Sequence, residues 1–199
     1  MRKKGHNVYV VWATDGRYER GDDSYYVGDT GIKACEVLGI SLMQTFRLGF
    51  PDQKLDTVPH LEMNQALEAL PIPPMDMIFT HAATDVNLDH VQVRQSALVY
   101  ARPKPEEMQT SVIGCEVLSS SEWGEKPFMP NFWRKISHNA VAVKCQALAC
   151  YSREVQERPH PRSSYGVNIL AQYRGLECGE WFAEAFEIIR LYEDAFMEY

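Results

Sequence analysis

Hydrophobic and polar positions fall into blocks of two periods. Asn7 to Ala13 is a nearly unbroken run of β-branched and aromatic residues, the pattern of a strand buried on both faces, and it ends at the turn Thr14-Asp15-Gly16. From Gly28 to Gly39 the residues Ile32, Cys35 and Leu38 recur at helical spacing until Gly39 stops them. Ser41 to Phe46 reads as a short strand and Gly49-Phe50-Pro51-Asp52 as a loop. Leu61 to Leu70 reads as a helix, broken by Pro71-Ile72-Pro73-Pro74 before a buried strand from Met75 to Thr80. Strand, helix, strand, helix, strand implies right-handed crossovers and a parallel sheet covered by helices. Ligands of such sheets sit in the loops beyond the carboxyl ends of the strands, and two of those loops begin at Asp15 and His81.

Further along, the pattern predicts a helix from Asp89 to Ala101, a strand from Ser111 to Leu118, and a loop from Gly124 to Asn131. Ser137 can cap a long helix reaching about Arg158, and two more helices follow, Tyr165 to Arg174 and Glu180 to Tyr192, separated by Gly175 and Gly179. The start of the chain is anomalous. Arg2-Lys3-Lys4-Gly5 has the chemistry that ends a helix, and four residues cannot nucleate one, so the element is expected to begin upstream of Met1.

Composition narrows the class. At 199 residues one domain spanning 1–199 is expected, and no apolar run approaches the roughly 18 residues that would cross a bilayer. With 20 Lys+Arg against 27 Asp+Glu and no basic cluster longer than Arg2-Lys3-Lys4, no nucleic-acid partner is expected. The five cysteines are odd in number and never form a C-x-x-C pair, which reads as reduced thiols in a cytoplasmic protein. Glycine-rich dinucleotide and P-loop signatures and the nucleophile elbow are all absent.

The densest polar cluster, Thr80 to His90, holds two His, two Asp and one Asn just after a buried strand. Imidazole beside carboxylate suits a divalent metal, with the Asp orienting the ring or moving a proton; equally, Asp85 or Asn87 can simply cap the following helix. A second cluster places His160 between two prolines, with Arg162 two positions on, and reads either as a proton donor with an anion contact or as a helix-terminating loop. Trp123, Phe128, Phe132 and Trp133 suit stacking on a sugar ring, but packing at a sheet edge is the more frequent fate of such residues.

The order of segments carries more than any one of them. Thr14-Asp15-Gly16, Phe50-Pro51-Asp52, Asp85 to His90, Ala101-Arg102-Pro103, Ser120-Ser121-Glu122-Trp123, Pro130-Asn131, His160-Pro161-Arg162-Ser163 and Ala183-Glu184-Ala185-Phe186 together resemble the LmbE/PIG-L family of zinc-dependent N-acetylglucosamine deacetylases. The resemblance implies a Rossmann-like, mostly parallel sheet with helices on both faces, and a hydrolase that removes an acetyl group from an amino-sugar substrate. It implies zinc as cofactor, with His90 as the downstream metal ligand and Asp89 beside it in the catalytic set. Asn87 stands where many members carry a His, so it can donate a hydrogen bond but cannot shuttle a proton, and His160 becomes the alternative acid, expected at the mouth of the same pocket. Asp15, Arg20 and Arg162 are expected to contact substrate. The family's His-Pro-Asp-Asp-Glu segment and first strand are missing, so the chain is expected to be an N-terminally truncated, incomplete catalyst. The alternative is a metal-free pseudoenzyme that binds sugar or forms homo-oligomer contacts.

Overall fold

The computed structural model describes residues 5–16, 27–104 and 109–192. In chain order the elements are β1 (Val10–Thr14), α1 (Val27–Val37), β2 (Thr45–Phe50), α2 (His60–Glu68), β3 (Met77–His81), α3 (Leu88–Tyr100), β4 (Ser111–Cys115), β5 (Phe132–Lys135), α4 (His138–Ala149), α5 (Ser164–Cys178) and β6 (Ala183–Arg190). Short 3-10 turns lie at Leu42–Gln44, Leu55–Thr57 and Ser121–Trp123. The chain divides into two compact units, one of Met1–Gln53 with Arg134–Glu184, the other of Lys54–Trp133 with Ala185–Tyr199.

In the first unit β1 and β2 pair in parallel, Val10 opposite Thr45 and Thr14 opposite Phe50. α4 packs on both α1 and α5, and burial of Ala34, Cys35, Val141, Ala147, Val167 and Ala171 supplies the apolar contact. Gly31 lets α1 approach the Trp12 ring, because an added Cβ would lie 2.9 Å from it. α1 ends as its glycine predicts: Gly39 takes φ +76°, and the Ile40 N–H donates back to the Cys35 carbonyl at 2.8 Å. Ser163 caps α5 by accepting from the Gly166 N–H.

In the second unit β3 and β4 pair in parallel, from Met77 opposite Ser111 to His81 opposite Cys115, and the strand order is β3-β4-β6-β5. α3 packs against β3 and α2. Val112 and Ile113, the centre of β4, are fully buried, as are Leu55 and Met63. Two parallel neighbours, β3 and β4, thus end side by side, and the loops leaving them converge.

The architecture is a mixed α/β fold. Its departures from the sequence pattern have local causes. β6 runs antiparallel to β4, with Cys115 opposite Phe186, so the four-stranded sheet is mixed rather than parallel throughout. The segment read as a helix from Glu180 to Tyr192 is this strand. Ala and Glu favour helix locally, but Ala183 and Ala185 alternate inward with period two and tertiary burial prevails. The long helix expected to Arg158 stops at Ala149, and residues 150–163 fold back on themselves through Gln156 N–H to Arg162 O, 2.9 Å, and the Glu154–Arg162 ion pair. Ser41 to Phe46 is not one strand: Leu42–Gln44 is a 3-10 turn capped by Ser41 and Gln44, and β2 continues through Gly49 and Phe50 to match β1. Phe132 and Trp133 lie on β5, a strand the pattern did not predict, at the end of the sheet order. The helix end expected at Arg2 to Lys4 lies outside the described residues.

Candidate functional site

The loops after β3 and β4 meet on one side chain. Asp85 has a fully buried carboxylate, and it accepts from the Ser120 hydroxyl, from the Ser121 hydroxyl at 3.0 Å and from the Asn87 backbone N–H at 2.9 Å. His90 Nδ1 lies 3.0 Å from Asp85 Oδ1, close enough for an ion pair although not aligned as a linear hydrogen bond. The His90 side chain is 22% exposed, so the carboxylate holds the Nδ1 edge of a ring that is only partly buried. A buried carboxylate without such partners would be costly, and here several donors converge on it.

Each partner is fixed in turn. Asn87 is the N-cap of α3, its side-chain oxygen accepting from the Asp89 N–H at 2.9 Å. Ser121 Oγ also accepts from the Val117 N–H at 2.7 Å, and Glu122 accepts from the N–H groups of Ser119 and Ser120 at 2.6 and 3.1 Å. Ser119 takes φ +66°, the left-handed conformation that turns this loop back toward Asp85. Gly124 closes the contact, because a Cβ there would fall on the carbonyl oxygen of Thr84.

The electrostatics follow from burial and pairing. Burial pushes the Asp85 carboxyl upward, but the His90 ring beside it and its charge, with hydrogen bonds from the Ser120 hydroxyl and the Asn87 N–H, hold it well below the usual carboxylate range. His81, at the end of β3, stacks on His90 with ring centroids 4.0 Å apart and planes within 6°. Burial first, and His90 second, hold its pKa down to about 4 against the pull of Asp85, so His81 is neutral near pH 7.

Of the other expected site residues, Asp89 is buried and turned inward, its Oδ1 accepting from the Leu55 N–H at 3.0 Å. Asp15 lies just beyond β1, its N–H donating to the Phe50 carbonyl at 3.1 Å beside the Thr14–Asp52 hydrogen bond. Arg20 lies outside the described residues. His160 and Arg162 form a group of their own in the first unit: His160 Nδ1 accepts from the Arg162 N–H at 3.0 Å, and the Arg162 guanidinium reaches Glu154 at 2.8 Å. Sequence reasoning gave Ser120 and Ser121 no role. Their signal was present in the Ser-Ser-Glu-Trp segment, but nothing in its spacing says that the hydroxyls answer a carboxylate 35 residues earlier.

A zinc site needs about three protein ligands. Among the described residues no group of three or more His, Cys, Asp or Glu is placed to hold a metal ion, and beside Asp85 stands one partly exposed imidazole, that of His90. These residues do not by themselves fit the metal that the sequence resemblance implies.

The family model for PIG-L, the GlcNAc-PI de-N-acetylases, matches residues 1–101, and the chain belongs to this family. No curated protein sequence matches it. Among solved structures it is similar to a conserved protein from Thermus thermophilus, with 21% identity, TM-score 0.71, and 97% of this chain and 87% of that one covered. It is also similar to the N,N'-diacetylchitobiose deacetylase from Pyrococcus horikoshii, solved with an inhibitor, at 16% identity and TM-score 0.69, covering 95% of this chain and 75% of that one. Both likenesses concern the fold. Among the described residues no helix is long and apolar enough to cross a membrane.

Proposed function

We propose that this chain acts on the acetamide of an N-acetylglucosamine-type substrate as a hydrolase, with its site on the loops beyond β3 and β4 of a Rossmann-like scaffold. The observation that supports this most is the pairing of family membership with a partly exposed His90 held by a fully buried Asp85. Amide hydrolysis requires water to add to the carbonyl carbon, the resulting oxyanion to be held, and the amine to gain a proton as the C–N bond breaks. With Nδ1 turned to Asp85, His90 offers its Nε2 to a ligand or substrate. Asn87, its oxygen engaged in capping, keeps the amide N–H2 for an oxyanion. Asp89, packed inward, fixes the first turn of α3 on which His90 stands.

The assignment of His160 as proton donor, and of Asp15, Arg20 and Arg162 as substrate contacts, rests on the sequence resemblance alone. Zinc belongs to the same reading as the family's cofactor, with His90 as its ligand here; the described residues lack the remainder of a ligand set, and their own contribution ends at binding and orientation. The test is acetate release from N-acetylglucosamine derivatives by the purified chain, with and without added zinc. Release that His90→Ala abolishes is the expected result. Sugar binding without release under every metal condition would favour a sugar-binding protein instead.

A further inference from the structure

Trp123 is the anomaly of the second unit. The indole is 73% exposed, although it stands in a turn pinned on both sides to the loop that carries Asp85. Ser121, two residues before it, donates to Asp85, and Gly124, immediately after it, is packed on the Thr84 carbonyl. On the opposing loop Val86 is 54% exposed, and Leu88, the first residue of α3 after the Asn87 cap, is 60% exposed. Trp123 and Val86 thus stand in water on the two loops that Asp85 joins, and Leu88 stands in water on the first turn of α3, which carries the partly exposed His90. A single exposed indole is ordinary, as Trp181 shows, but apolar side chains grouped on adjoining, rigidly held segments beside a polar site are a feature of ligand-binding surfaces.

We infer that Trp123 is the platform on which the sugar ring of the substrate rests, with Val86 and Leu88 forming the apolar rim. The inference rests on the proposed amino-sugar reading, which supplies the occupant. A pyranose ring carries axial C–H bonds on one face, and these pack against an aromatic face while the hydroxyls stay in water or reach polar groups such as Asn87. A ring so seated would lie beside the His90 edge, on the two loops that Asp85 joins. The platform determines affinity and ring orientation and takes no part in proton movement.

The test uses the intact chain and N-acetylglucosamine as the probe, followed by saturation-transfer NMR and by the dissociation constant from chemical-shift titration. Trp123→Ala should weaken binding about tenfold and remove the transfer to the ring C–H protons, while Trp123→Phe should restore most of both. Trp181→Ala, at an indole 86% exposed in the first unit, is the control and should leave binding unchanged. Circular dichroism should show equal folding of all three variants, since neither indole is buried. Trp123-dependent binding without acetate release would remove the hydrolase reading and leave the platform standing. Unchanged affinity in Trp123→Ala, no binding by the wild type, or a loss of self-association in Trp123→Ala with sugar affinity intact would each overturn the platform.

Discussion

His90 and His160 each stand in a loop beside charged residues, yet the two rings are held in opposite senses. His90 presents Nδ1 to the carboxylate of Asp85 at 3.0 Å, which favours the tautomer with the proton on Nδ1 and the lone pair on Nε2. His160 uses Nδ1 to accept the Arg162 N–H at 3.0 Å, which favours the proton on Nε2. One ring presents a lone pair at Nε2 and the other an N–H at the same position. Their supports differ as well: the His90 group is tied across 35 residues by a buried carboxylate, whereas the His160 group is a local turn whose ion pair, Glu154–Arg162, is partly exposed.

That difference predicts a gradient of mutational cost. Asp85→Ala should be the most damaging substitution, lowering stability by about 3 kcal/mol, because it leaves the Ser120 and Ser121 hydroxyls and the Asn87 N–H without their acceptor in a buried site. Urea unfolding gives the value, and a loss below about 1 kcal/mol would mean that the hub is not the anchor of these loops. Gly124→Ala should cost about 2 kcal/mol, as the two loops must separate to admit a methyl group against the Thr84 carbonyl. Glu154→Ala should cost less than about 1 kcal/mol, because the Arg162 side chain it pairs with is 35% exposed. If Glu154→Ala proved as costly as Asp85→Ala in the same unfolding series, the contrast between a buried and a local support would fail.

Legibility in the sequence follows the range of the interactions. β1, β3, α1, α2, α3 and α5 were readable because their apolar periodicity and their caps are local; Asn87 and Ser163 cap helices as such residues do near a helix start. β6 was not, because Ala183-Glu184-Ala185 favours helix until the sheet buries both alanines. The candidate site was half legible. Asp85, Asn87, Asp89 and His90 stood out as a cluster after a buried strand, but the inward turn of Asp89 toward Leu55 and the answering hydroxyls of Ser120 and Ser121 depend on pairing of β3 with β4, which a single sequence does not display.

The opposite tautomers of the two histidines are the most direct consequence of their two kinds of support. Long-range proton–nitrogen correlation of the imidazole rings at about pH 8.5, where unperturbed imidazoles are neutral, reads them without reference to activity. The expected result is an Nδ1-protonated His90 and an Nε2-protonated His160 in the wild type, with His90 reverting to a mixture in Asp85→Asn and His160 unchanged. An Nε2-protonated His90 in the wild type, or a His90 indifferent to Asp85→Asn, would contradict the claim that Asp85 positions this ring.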